Sequence, residues 1–88
     1  MAQYRLLIKA SAAKELRAIP NKRDRQRIVK RILGLETDPR PPGSQKLSGR
    51  ERYRIRQGQY RIVYGIETDE LVVYVVKIGR RKDVYRAL

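Results

Sequence analysis

Residues 52–64 read RYRIRQGQYRIVY. Tyrosine and isoleucine alternate with arginine on either side of Gly58, the pattern of two antiparallel strands joined by a tight turn. If Tyr53 and Ile55 face the interior, then Tyr60, Ile62 and Tyr64 share that face. A turn at Gln57-Gly58 pairs Ile55 with Tyr60, and it sets Arg54 opposite Arg61 with Arg56 beside them. Like charges directly opposite one another across strands are destabilising by a few tenths to about 1 kcal/mol. Such a face is better accounted for by an anionic ligand than by stability, with a solvated polar face as the alternative.

The segments around this hairpin complete a fold. Residues 70–78 contain Leu71-Val72-Val73-Tyr74-Val75-Val76, a continuous apolar run that predicts a strand covered on both faces and stopped at Gly79. Upstream, Tyr4 to Lys9 predicts a first strand. Ser11 offers an N-cap for a short helix with Ala12, Leu16 and Ile19 on one face. Pro20-Asn21 breaks that helix, and Asn21 can cap a second one running to about Thr37. Its apolar stripe is Ile28, Val29, Ile32, Leu33 and Leu35, while Arg23, Arg27 and Arg31 line another face. Prolines at 39, 41 and 42 make residues 38–50 an ordered surface loop. The fold class is therefore α+β, a single small domain over residues 1–88. Two N-terminal helices pack on a mostly antiparallel four-stranded sheet, and Arg80 to Leu88 form a short C-terminal tail or helix.

Composition narrows the function. A chain of 88 residues buries only about 60–65% of its unfolded surface. It has neither cysteine nor histidine, which removes disulfides, thiolate sites and the commonest metal ligand. Glu67, Asp69, Glu70 and Asp83 are too few and too turn-like for a metal site, and no cofactor motif is present. MAQYRLLIKA carries too short an apolar run for a signal peptide, and no stretch approaches membrane-spanning length, so a cytoplasmic protein is expected. The net charge is +13, and arginine outnumbers lysine 15 to 7. Polyanions are the natural partners, and the planar guanidinium fork favours phosphate. No amphipathic helix with aromatic anchors points to a membrane surface.

A sheet of guanidinium groups can bind phosphate. It can also neutralise the charge that develops when a ribose 2′-hydroxyl attacks its neighbouring phosphodiester. That reaction needs no metal, only cations, a proton acceptor for the 2′-hydroxyl and a proton donor for the 5′-oxygen.

KLSG at 46–49, YRIR at 53–56, YRIVY at 60–64, IGRR at 78–81 and VY at 84–85 resemble, in this order and spacing, the RelE toxins of the RelE/ParE toxin–antitoxin superfamily. The likeness runs over essentially the whole chain. It implies a ribosome-dependent endoribonuclease that cuts mRNA in the A site and leaves a 2′,3′-cyclic phosphate. By this resemblance Arg54, Arg56 and Arg61 are catalytic cations, Arg81 matches the family's proposed general acid, and Tyr85 matches the tyrosine that stacks on or activates the nucleotide. The family typically carries lysines where this chain has Arg54 and Arg56. Arginine, with a pKa above about 12, is no proton acceptor at neutral pH. Arg56 is therefore assigned an electrostatic role, and Tyr85, its pKa lowered by nearby Arg80, Arg81 and Lys82, or solvent takes the proton.

Arg23, Arg27, Arg31, Lys46, Arg50, Arg52, Arg80 and Lys82 are the further RNA-binding candidates, with a solvated surface as the competing reading. Tyr53, Tyr60, Tyr64 and Tyr74 read as core or rim packing. The partners implied are the ribosome and its rRNA, the mRNA, and a RelB-like antitoxin with an acidic or amphipathic segment. Two other functions share the scaffold or the charge: a ParE-like toxin acting on DNA gyrase, and a non-catalytic RNA-binding module.

Overall fold

The computed structural model describes residues 3–47 and 51–80. In chain order the elements are β1 (Arg5–Ile8), α1 (Ala10–Arg17), α2 (Lys22–Gly34), β2 (Gln45–Lys46), β3 (Arg52–Gln57), β4 (Tyr60–Glu67) and β5 (Val72–Arg80). They form one five-stranded sheet in the order β1-β5-β4-β3-β2. β1 runs parallel to β5, and every other pairing is antiparallel. The α+β architecture with two helices on the sheet is as the sequence predicts. The fifth strand is β2, which lies inside the segment predicted to be loop and pairs Gln45 with Arg54. Two residues carry too little periodicity to announce a strand.

The hairpin turns at Gly58 and Gln59, so that Gln57 pairs with Tyr60. Gly58 has φ +60° at the first central position, where a II′ turn demands positive φ. The predicted face assignment holds, because the shift from the predicted register is two residues and side chains alternate with period two. The partners change: Ile55 pairs with Ile62, Tyr53 with Tyr64, and Arg56 rather than Arg54 stands opposite Arg61.

The core lies between the helices and one face of the sheet. Ala12, Ile19, Ile28, Ile32 and Leu35 meet Tyr53, Ile55, Tyr60, Ile62, Tyr64, Val73, Val75 and Ile78. Asn21 caps α2 as predicted, accepting from the Asp24 backbone N–H at 3.1 Å. α2 ends at Gly34 rather than near Thr37, and the chain leaves through a turn in which the Thr37 and Asp38 N–H groups both donate to the Gly34 carbonyl. Ser11 is not an N-cap; it sits inside α1, whose cap residue is Lys9. Val29 and Leu33 are exposed, because the helix meets the sheet only through the narrower stripe of Ile28, Ile32 and Leu35.

β5 also departs from expectation. It continues through Gly79 to Arg80, held by the pairing of Arg61 with Gly79 and Tyr60 with Arg80. The helix-facing side is covered from Val73 to Ile78, and on the other face only Val72 is fully buried. Val73, Val75 and Ile78 lie in the core, whereas Tyr74 and Val76 on the other face stay half-buried. A register shift between Val63 and Tyr64 inserts an extra β5 residue there, a bulge of the kind that re-aims side chains. Glu15 of α1 reaches this strand, accepting from the Ile78 backbone N–H at 3.2 Å and pairing with the Lys77 ammonium.

Of the predicted loop 38–50, residues 38–44 form the proline loop, 45–46 form β2, and 48–50 lie outside the described residues. Tyr64 donates its hydroxyl to the Pro39 carbonyl at 2.7 Å, and Arg40 lies 5.3 Å from the Tyr53 ring centroid while donating to its hydroxyl at 3.2 Å. The rings of Tyr53 and Tyr64 stack at 5.9 Å. Burial pushes the Tyr64 phenol up to about 12. Among the described residues no helix is long and apolar enough to cross a membrane.

Candidate functional site

The sheet face turned away from the helices is built in cross-strand rows, because residues paired in an antiparallel ladder project to the same side. One row is Arg56, Arg61 and Gly79. The next is Arg54 and Val63, paired with Lys77, whose ammonium turns to Glu15 of α1, and the third is Arg52, Gly65, Tyr74 and Leu7. Alternation along β3 thus delivers Arg52, Arg54 and Arg56 to one surface, with Arg61 of β4 facing Arg56.

Burial separates these arginines. Arg54 and Arg61 are only 7% and 4% exposed, Arg52 is half-buried and Arg56 is exposed. The Arg54 guanidinium donates to the Gln45 side-chain oxygen on β2. Its Nε has no hydrogen-bond partner, and no carboxylate pairs with it among the described residues. Desolvating a guanidinium without a counter-charge is unfavourable. A buried cation that meets a neutral amide and no carboxylate among the described residues, flanked by two more arginines, makes a surface that an anion would stabilise. A guanidinium is a donor with no acceptor site, so these groups can bind and neutralise phosphate oxygens but offer no lone pair to take a proton.

The other candidates are distributed elsewhere. Arg23 and Arg27 are exposed on α2, and Arg31 on the same helix donates to the Pro42 carbonyl at 3.3 Å. With Lys30 and Gln57, Arg27 and Arg31 border a shallow cavity of about 400 Å³ at the helix layer, not at the arginine rows. Arg80 sits across from Tyr60, and its guanidinium lies 6.0 Å from that ring, on the helix side of the sheet. Lys46 forms an exposed ion pair with Glu51 at 3.3 Å. Arg50, Arg81, Lys82 and Tyr85 lie outside the described residues. Neither Gln45, whose strand is two residues long, nor Gly65 stands out in the hydropathy pattern. Gly65 does leave a trace, since glycine inside a strand often marks a close approach.

Among curated proteins no relative matches the chain. A double arginine-to-alanine variant of E. coli RelE, solved with a peptide of the RelB antitoxin, is 30% identical with a TM-score of 0.75, over 99% of this chain and 94% of that one. RelE in the RelE–RelB complex of Pyrococcus horikoshii is 28% identical with a TM-score of 0.76, over 92% and 97% of the two chains. The intact E. coli RelBE complex matches at 28% identity and a TM-score of 0.76, over 88% and 95%. The family model of the ParE toxin of type II toxin–antitoxin systems, parDE, matches residues 6–85. A match of that extent, on a fold shared with RelE, means that the chain belongs to the RelE/ParE superfamily of type II toxins.

Proposed function

We propose that this toxin is a metal-independent endoribonuclease that cuts mRNA in the ribosomal A site and so stops translation in the cytoplasm. The observation that carries the reading is the row arrangement of Arg54, Arg56 and Arg61, with Arg54 buried and without an ion pair among the described residues. In the proposed step the ribose 2′-oxygen attacks the adjacent phosphorus, an O2′–P bond forms, and the P–O5′ bond breaks. The 2′ proton leaves to Tyr85 or solvent, and Arg81 supplies the proton taken up by the 5′-oxygen. Arg56 and Arg61 neutralise the charge gathering on the non-bridging oxygens, an effect worth about 10²–10³ in rate for a single well-placed donor. Arg54, fixed by Gln45, holds the phosphate from below.

Purified protein incubated with programmed ribosomes, with cuts mapped by primer extension, tests this. Cuts confined to the A-site codon are the expected result, and intact mRNA overturns it. The ParE description of the matching family favours a second reading, inhibition of DNA gyrase. A supercoiling assay with purified gyrase separates the two. Either toxin is held in check by an antitoxin, as the RelB partners of the similar structures are named. With +13 on this chain, the antitoxin's binding segment is acidic or amphipathic and orders on docking. Co-purification of an untagged partner from the native operon tests it, and high expression without a partner in normally growing cells would count against it.

A further inference from the structure

The outermost row of the arginine face has a structure of its own. Arg52 stands opposite Gly65, Gly65 opposite Tyr74, and Tyr74 opposite Leu7. A Cβ at position 65 would lie 2.7 Å from Arg52 Nη1, closer than side chains tolerate. The glycine therefore leaves room for the Arg52 guanidinium over β4, and Arg52 and Tyr74 border the same cavity. Glycine inside a strand is destabilising by roughly 0.5–1 kcal/mol relative to alanine, and no turn, bulge partner or positive φ at 65 requires it. Beyond it, Arg52, Tyr74, Val76, Leu7, Ile8 and Lys9 border an open cavity of about 530 Å³, within the range of small-ligand sites.

The row is amphipathic in a particular way. It sets one half-buried aromatic ring and neighbouring aliphatic side chains beside a cation at each side, Arg52 on β3 and Lys9 after β1. Stacking surface next to positive charge is the pattern by which single strands are held without base pairing. Arg52, Arg54 and Arg56 repeat at every second residue of β3, a step of about 6.6–6.8 Å that the successive phosphates of an extended strand can follow.

We propose that the Arg52–Gly65–Tyr74 row is a nucleotide-binding subsite for single-stranded RNA, one step along the strand from the phosphate held by Arg54, Arg56 and Arg61. The Tyr74 ring stacks on the flanking base, and Arg52 takes that nucleotide's phosphate. The inference rests on the ribonuclease reading, and it adds a source of sequence preference to it, since purines offer the larger stacking surface.

The test uses Tyr74→Leu, which keeps an apolar side chain, and Gly65→Ala, which displaces the Arg52 guanidinium while leaving every charge in the chain. Single-turnover cleavage is measured on ribosomes programmed with mRNAs that differ only in the base beside the cut. For both variants the half-saturating concentration rises by roughly tenfold, the maximal rate stays within about threefold, and the purine preference flattens. Adding Arg52→Gln to Gly65→Ala causes little further loss, because both act through one guanidinium. Parental half-saturation and parental base preference in both variants overturn the proposal, as does a fall in maximal rate alone. Binding of a non-cleavable 2′-O-methyl RNA oligomer is measured in parallel. If the parent does not cleave but binds the oligomer in a Tyr74-dependent way, the subsite stands and the ribonuclease reading falls. If that binding ignores both substitutions, the subsite falls whatever the parent cleaves.

Discussion

Arg56 and Arg61 face each other across the hairpin, a juxtaposition that a protein built for stability alone would avoid. Replacing Arg56 by lysine keeps a cation and loses the bidentate fork. Cleavage is expected to fall by about tenfold, or 1.4 kcal/mol in barrier, with no new pH dependence between about pH 6 and 9. A lysine variant whose rate climbs with pH would show that this position serves as a proton acceptor once the facing Arg61 lowers its pKa. Tyr64 sets a second test at the same scale. Its phenol is held neutral to about pH 12 in the folded protein against about 10 when unfolded. A raised folded pKa contributes stability that is fully present below about pH 10 and is lost as pH climbs through about 12, on the order of 3 kcal/mol at most. Chemical denaturation across pH 9–12 should show the parent losing stability more steeply than Tyr64→Phe. The variant is also less stable at neutral pH by about 1–2 kcal/mol, because the Pro39 carbonyl loses its donor.

At the level of elements, strong local signals survived and weak ones did not. The alternation in RYRIRQGQYRIVY dictates a hairpin and its two faces, since a register error of two residues leaves every side chain on its own side. Which arginine meets Arg61 depends on where Gly58 sits in the turn: placed second, it would force Gln57 to positive φ in a I′ turn, whereas placed first, as observed, it alone takes positive φ in a II′ turn and Arg56 meets Arg61. β2 was illegible for a simple reason: it exists through its pairing with β3, not through any pattern of its own. The long-range Glu15 contact was equally hidden, although it joins the first helix to the last described strand. Glu15→Ala leaves the Ile78 N–H and the Lys77 ammonium without their shared acceptor, and a loss of about 1–3 kcal/mol is expected. Urea denaturation measures it, and a midpoint equal to the parent's would show that the contact is incidental.

For the whole molecule, the charge is spread over two surfaces. The sheet carries Arg52, Arg54, Arg56 and Arg61, while α2 carries Arg23, Arg27 and Arg31 on the far side of the core. Affinity for ribosomes, drawn from many phosphate contacts, is expected to fall steeply between 50 and 200 mM salt, by about 10³ or more if six contacts form. The cleavage rate at saturation should hardly change, because the reacting phosphate is already bound. Titrations at several salt concentrations with single-turnover rates at each endpoint check both halves of this statement.

The parallel pairing of β1 with β5 joins the start of the chain to residues near its end, with β5 lying between β1 and β4. While the chain is still being synthesised, β1 has no neighbour and α1 has no strand to receive Glu15. The sheet can therefore close only after residue 80 has left the exit tunnel. On these grounds the five-stranded sheet of a nascent chain stays incomplete until β5 has emerged. Arrest-peptide force measurements on nascent chains of graded length should record folding tension only once β5 has emerged. Tension from the isolated hairpin would mean that the sheet nucleates without its first strand.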